Sequence, residues 1–541
     1  MFQTSRIERA GYTVGRSVVM ARQGMVATSQ PLATEVGVSI LKQGGNAIDA
    51  AIATALTLGV VEPVSTGIGG DAFLLYYSAA DGKIYGLNGS GRCPRQLTLE
   101  ALRQRGMTDV PPRGLGSVTV PGAVDAFFTA HQRHGVLPFA DLLAPAIFYA
   151  REGFPVSEVI ASQWQAAVSV LSQWPASART YLPDGKAPQP GAVHYQPNLA
   201  RTLEMIASEG RDAFYCGDIA RRIVQFSNDN GGFFTLDDFA THTSEWVEPI
   251  STDYRGHTIL ELPPNGQGIT ALIALNILEG FDLAGMEYGS APYYHLLIEA
   301  TKQAFADRNR YVADPACASI PVPGLLSKAY ATARRQELAM GRAGEYGPGN
   351  PMPFGNTVYV TCVDRERNVV SLIHSLFVGF GSGVVAGDTG ICLQNRGSGF
   401  VADPNHPNAL APGKRPLHTF IPAMILRDGQ PWVCYGVMGG DMQAQGHVQV
   451  AINLVDFDMN VQEAIEAPRY RILGGRRVAL ERAIPHPVRH ELEGMGHRLL
   501  PYGELPPGTP YGGGQAILID PLQGVLQGGS DSRKDGCAIG Y

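Results

Sequence analysis

The chain lacks the cysteine patterns that organise small secreted domains or metal centres. Its seven cysteines, Cys93, Cys216, Cys317, Cys362, Cys392, Cys434 and Cys537, are odd in number, and none forms a Cys-x-x-Cys pair or a Cys/His cluster. Neither a disulfide framework nor a zinc site is suggested, and buried thiols in a reducing compartment are the simpler reading. Long apolar runs are missing too. None approaches the ~20 residues needed to span a bilayer, and the longest candidate, 48–61, contains Thr54 and Thr57 and reads as a buried helix. Residues 1–20 alternate polar and charged positions without an apolar h-region, so a cytoplasmic protein with no membrane partner is expected. A net charge of -7, with no run of five or six like charges, argues against the basic face of a nucleic-acid binder.

What is present is a long, mixed chain. Its 541 residues exceed what one ordinary core organises, so two or more packed layers are expected. The 65 glycines and 38 prolines are scattered between apolar periodic segments rather than clustered as in disordered sequence. Residues 31–63 read as two helices split by Gly44-Gly45-Asn46, with Asn46 able to cap the second. A Gly-rich turn, Ser65 to Asp71, leads into a strand over 72–77, and Ala79-Ala80-Asp81-Gly82 reads as a hairpin turn. The stretch 124–205 is mostly helical, broken by a Pro-rich loop at 182–195, and 293–312 is a long helix. Residues 341–355 lack apolar periodicity and read as an exposed, mobile, cleavable segment. β-rich runs follow at 358–363, 369–376, 419–426, 432–437 and 516–519. A helix-rich portion, 1–356, thus gives way to a strand-rich portion, 357–541, whose first residue is a threonine. No internal repeat of 20–50 residues is evident.

A threonine opening a strand is ordinary in itself. The segment Gly355-Asn356-Thr357-Val358-Tyr359-Val360-Thr361-Cys362-Val363-Asp364, however, resembles the start of the small subunit in γ-glutamyltransferases. Val384 to Ile391 and Gly413-Lys414-Arg415-Pro416-Leu417 continue the resemblance. Upstream it takes in Gly44 to Ala51, Gly69-Gly70-Asp71, Thr119 to Gly122, Tyr254-Arg255-Gly256, Leu275 to Gly280 and Ala304 to Arg308. The ending, Ser530 to Arg533 and Gly540-Tyr541, is similar as well. The resemblance implies a mixed α/β, four-layer αββα N-terminal-nucleophile hydrolase, cut between Asn356 and Thr357. Its two fragments would form one heterodimeric catalytic unit, with a dimer of heterodimers left open. It implies Thr357 as nucleophile, its freed α-amino group as general base, and neither metal nor organic cofactor. Gly439 and Gly440 would supply oxyanion N–H groups. Ser375 would give a supporting hydrogen bond, a solvent-facing strand serine being the alternative. His374, its neighbour on the strand, would face the other way and be structural.

The donor-binding set departs from the family pattern. The family's carboxylate-binding Arg aligns with Ser90, and Arg92 lies two positions away. Phe377 replaces an Asn, Arg396 a Gln, and Gly399 the Asp that grips the donor's ammonium. His418 and Thr419 stand for paired serines. Ser90, Arg92, Arg396, His418 and Thr419 are therefore the candidate substrate-binding residues. Loss of an acid and gain of Arg396 and His418 favour an anion over an ammonium. Arg396 could equally be a salt-bridged scaffold residue, and His418 a core histidine. The short stretch 400–414 suggests a reduced lid and a more open groove.

The nominal expectation is a self-processing hydrolase or transferase acting on small γ-glutamyl amides of the glutathione type. An amidohydrolase or acylase for another acid amide is the alternative, and a silent binding homologue the second. A nucleotide-binding reading of Gly379-Phe380-Gly381-Ser382-Gly383 fails because Val384-Val385-Ala386-Gly387 does not open a helix.

Overall fold

The computed structural model describes residues 15–346, 356–501, 504–505 and 510–541. Two antiparallel seven-stranded sheets form its centre. Their strands are β1 (Val19–Ala21), β2 (Met25–Thr28), β3 (Asp71–Ser78), β4 (Lys83–Gly89), β5 (Glu245–Val247), β6 (Ile250–Tyr254), β7 (His257–Glu261), β8 (Asn356–Val363), β9 (Val369–Phe377), β10 (Ala423–Arg427), β11 (Gln430–Met438), β12 (Gly513–Asp520), β13 (Val525–Ser530) and β14 (Cys537–Gly540). One sheet runs β1-β13-β12-β11-β10-β7-β6 and the other β14-β2-β8-β9-β3-β4-β5.

Side-chain alternation along the strands separates the layers. On β3, Ala72, Leu74 and Tyr76 join an outer core, whereas Phe73, Leu75 and Tyr77 enter the core between the sheets. On β8, Val358, Val360 and Cys362 face outward to helices, and Tyr359 and Val363 face the other sheet. The outer core of this sheet is closed by helices α1 (Pro31–Lys42), α2 (Ala47–Val61), α3 (Ala123–His134) and α4 (Phe139–Glu152). On the first sheet the covering helices include α5 (Gly268–Leu278), α6 (Ala291–Tyr311) and α7 (Met442–Val455). Three apolar interfaces between four layers make the αββα sandwich.

Local sequence explains the helix starts. Asn46 and Asp49 form a reciprocal capping box at the head of α2, and every residue of that helix is buried. Such a helix shows no polar face because protein surrounds it.

Each portion contributes seven of the fourteen strands of the two central sheets. Two expectations need correction. Residues 419–422 are not strand, and only His418 makes a bridge there, parallel to Gly266. Residues 341–346 are partly docked: the N–H of Gly344 and the hydroxyl of Tyr346 each donate to Glu299 Oε2 on α6 at 2.8 Å. Residues 347–355, the remainder of the expected cleavable segment, lie outside the described residues.

Candidate active site

Thr357 is fully buried near the start of β8, at a register irregularity between Asn356 and Val358. On either side of it Asn356 pairs with Phe377 and Val358 with His374, so Thr357 alone lies opposite two residues of β9, Ser375 and Leu376, and the extra residue of the bulge is on β9. The Thr357 hydroxyl is buried and has no hydrogen-bond partner among the described residues, a state it shares with Thr66, Thr119, Thr270 and Thr361. An unengaged hydroxyl suits a reacting group, and of these five only Thr357 opens its strand beside the expected cleavage point.

Ser375 and Asp71 are ladder partners on β9 and β3. The Ser375 hydroxyl accepts the Phe377 N–H at 2.7 Å and lies 3.4 Å from Arg396 Nη2. Phe377 has φ 85°, a conformation a bulky residue rarely adopts. Its ring packs 4.1 Å from the Arg396 guanidinium, and the Phe420 ring lies 4.8 Å away on the same group. His374 points to the helical side, with Nε2 2.9 Å from the Gly67 carbonyl.

Arg396 is fully buried. Its Nη1 donates to Thr419 Oγ1 at 2.9 Å, while Nε–H has no partner. No carboxylate pairs directly with it among the described residues; Asp71 supplies its countercharge from further off. Burial pulls the guanidinium down to about 9, so it stays protonated at neutral pH. Asp71 is pushed up to about 6 by burial, against the opposing pull of Arg396 and its hydrogen bonds. Its Oδ1 accepts from Gly91 N–H, Gly122 N–H and Gln394 Nε2 at 2.9–3.1 Å. Its Oδ2 lies 3.1 Å from His418 Nε2. His418 Nδ1 accepts the Phe420 N–H, so the ring proton is on Nε2 and points to Asp71. Burial first, then Arg396 and Arg415, hold His418 well below its usual range and therefore neutral.

Gly439 and Gly440 end β11, with φ 128° and 64°. Both values lie in the region that favours glycine. Among the described residues neither N–H has an acceptor, whereas their carbonyls accept from the Met442 and Gln443 N–H groups opening α7.

The structure thus brings Ser375, Arg396, His418 and Thr419 together around Asp71, beside Thr357. The other two candidate binding residues are occupied elsewhere. Ser90 Oγ accepts from Asn265 Nδ2 at 3.0 Å, within a clamp joining β4 to the Pro416 carbonyl. Arg92 is not joined to the Arg396 group by any contact: it pairs with Glu245 at 2.9 Å and lies 3.6 Å from Asp314. Sequence reasoning missed Asp71 as a site residue, although an acid opening an apolar strand is the kind of signal that could have found it. It also missed Gln267 and Phe420.

One other group of metal-type donors occurs among the described residues: His295, Glu299 and His497, all buried. The Lys302 ammonium sits 2.6 Å from Glu299 Oε1 and already provides the positive charge a cation would bring.

These features define a four-layer hydrolase with a buried threonine at the start of one central strand and paired glycines following another. A sequence model described as Gamma-glutamyltranspeptidase matches residues 33–541. The chain belongs to this family, and is an enzyme of its amidohydrolase and acylase class. It is 41% identical over 536 residues to a glutathione hydrolase-like YwrD proenzyme of Bacillus subtilis, covering 97% of this chain and 100% of that one. A glutathione hydrolase proenzyme of Escherichia coli is 34% identical over 546 residues, covering 97% and 93%. Among solved structures, cephalosporin acylase from Bacillus halodurans superposes with a TM-score of 0.93 at 45% identity, covering 100% of this chain and 99% of that one.

Proposed function

We propose that this chain is a self-processing threonine amidohydrolase whose acyl donor carries an anionic tail and no α-ammonium. The observation that carries this reading is Arg396, a buried cation with an unpaired Nε–H, whose Nη2 lies 3.4 Å from Ser375 on the strand paired with that of Thr357. A carboxylate on the donor's acyl chain would complete the guanidinium, which presents five N–H groups in a fork suited to it. An ammonium would meet no free acid. Asp71 is the charged acceptor of this cluster, and its oxygens already take four donors.

Processing begins with attack of Thr357 Oγ on the Asn356 carbonyl. The peptide C–N bond breaks, the proton lost by the hydroxyl passes to the new amine, and water hydrolyses the resulting ester. The α-amino group so released has an ordinary pKa of roughly 7.7–8.0, suited to taking the Thr357 hydroxyl proton at neutral pH. In turnover the hydroxyl adds to the substrate amide carbonyl, and Gly439 and Gly440 N–H groups hold the oxyanion. The leaving amine departs with a proton and the acyl-enzyme is released by water or a second amine. Fragments 1–356 and 357–541 would remain a heterodimer, because each supplies seven strands that the other buries.

The relatives named as glutathione hydrolases support a second reading, γ-glutamyl transfer, with Arg396 holding the α-carboxylate. Rates on glutaryl-, γ-glutamyl- and butyryl-p-nitroanilide separate the two. A glutaryl preference of about tenfold or more over γ-glutamyl is expected, from one unpaired buried charge. Equal or better γ-glutamyl turnover would favour the second reading.

A further inference from the structure

Gln267 is fully buried just before α5, in the segment that follows β7, and it is hydrogen-bonded to the His418–Thr419 segment, to Gly440 and to Arg308. Its backbone N–H donates to the His418 carbonyl at 2.9 Å. Its side-chain Nε2 donates to two carbonyls at 3.1 Å each, those of Thr419 and Gly440. Its Oε1 accepts from Arg308 Nη1 at 2.7 Å, and the same Nη1 donates to Asp441 Oδ1 at 2.6 Å. Every hydrogen-bonding position that the side chain uses is therefore directed at a backbone or group flanking the site.

The chemistry at the two ends of this bridge differs. Thr419 carries the hydroxyl that receives Arg396, the group that would hold the donor's anion. Gly440 carries one of the two N–H groups that have no acceptor among the described residues and that the functional reading assigns to the oxyanion. Paired glycines with φ 128° and 64° have no side chains of their own to hold them, and an amide plane there can rotate. Gly440's carbonyl is pinned from one side by the Gln443 N–H and from the other by Gln267. Fixing that carbonyl fixes the peptide plane after Gly440 and with it the Gly440 Cα, one of the two anchor points of the preceding plane that carries the Gly440 N–H. Arg308 and Asp441 hold Gln267's own amide in the one orientation that presents Nε2 to both carbonyls.

We propose that Gln267 is a positioning residue. Its amide sets the distance between the anion-holding arm at Thr419 and the oxyanion glycines, so that a donor anchored on Arg396 presents its scissile carbonyl to Gly439 and Gly440. This rests on the functional reading above. Oxyanion donors act only when aimed at the transition state, and displacement of about an ångström costs on the order of 10²-fold.

Gln267→Glu isolates the claim. The glutamate keeps an acceptor for Arg308 but has no N–H for Thr419 and Gly440. Gln267→Met, of similar volume, removes both functions and serves as the second variant should the first fail to fold. Fragment formation, kcat and KM on glutaryl-p-nitroanilide are measured for each, beside Thr357→Ala. The expected result is a kcat lowered about 10- to 100-fold in both variants, with KM within about threefold. A Gln267→Glu enzyme with kcat within twofold of the parent would overturn the inference, because it would mean that Gln267 serves only to pair Arg308. A rise in KM alone, with kcat retained, would overturn it too. Amide hydrolysis surviving in Thr357→Ala would remove the underlying reading, and the inference with it. An inactive Thr357→Ala beside a fully active Gln267→Glu would sink the inference alone.

Discussion

Replacing Arg396 with Met tests the acyl-pocket assignment most directly. Methionine occupies the space between the Phe377 and Phe420 rings, 4.1 and 4.8 Å from the guanidinium, without its charge. A carboxylate docked on Arg396 would gain charge-assisted hydrogen bonds, each contributing about 1.5–3 kcal/mol. Two such bonds amount to roughly 3–6 kcal/mol, or about 10²- to 10⁴-fold in kcat/KM at 1.36 kcal/mol per tenfold. A neutral acyl donor loses nothing from that source. Its kcat/KM should change by less than about fivefold, the residue of lost support from Ser375 and Thr419. The assay is p-nitroaniline release from glutaryl- and butyryl-p-nitroanilide under subsaturating conditions, with fragment formation followed in parallel. A loss of similar size on both donors would refute the reasoning and make Arg396 a scaffold residue. Arg396→Lys provides a further check: it retains charge without the planar fork, and should recover only part of the glutaryl rate.

Other consequences follow from the same geometry. Thr357→Ala should remain a single chain, whereas the parent yields fragments of 356 and 185 residues, readable by intact mass. Asp71, raised to about 6 from 3.8 by burial, binds its proton more tightly folded than unfolded. Its contribution is therefore most favourable below about pH 4 and is lost as pH rises to about 6, by about 3 kcal/mol in all. Asp71→Asn should accordingly show a smaller fall in Tm between pH 4.5 and 7 than the parent; an identical fall would mean that Asp71 is not the group titrating. Gly440→Ala, forced to φ 64°, should lose about 1–2 kcal/mol of stability and most of kcat, and an unchanged kcat would argue against the oxyanion role. Asn46→Ala should cost about 1 kcal/mol through loss of the capping box, measured as a lower Tm with unaltered kinetics.

Much of the layered fold was legible locally. Asn46 capping α2, the hairpin at 79–82 and the strand pair on either side of 364–368 all follow from turn chemistry and alternation, and they appear in the structure as β3–β4 and β8–β9. That the helix-rich portion supplies half the strands of the two central sheets was not legible. Short strands such as Val19–Ala21 and Glu245–Val247 have too few residues to show a period, and exist because a neighbouring strand offers them partners. The stretch 419–422 carried a strand-like pattern, yet its carbonyls and N–H groups are taken by Gln267 and the side chain of Gln443 instead of a ladder.

The same division runs through the site. Sequence by itself determined the kind of chemistry: a threonine opening a strand, paired glycines after another, and binding positions where Gly399 stands for an acid and Arg396 for a glutamine. Those are matters of residue type and order, which sequence carries in full. Only tertiary structure decided which neighbours share a space. Arg92 and Arg396 are both arginines in glycine-rich loops, but the fold hands one to Glu245 and Asp314 and leaves the other buried with an open donor. Asp71 and Ser375 are more than 300 positions apart and meet because antiparallel register places them opposite. Charge, burial and hydrogen-bond supply depend on distance, and distances between remote segments are set by packing rather than by any local pattern.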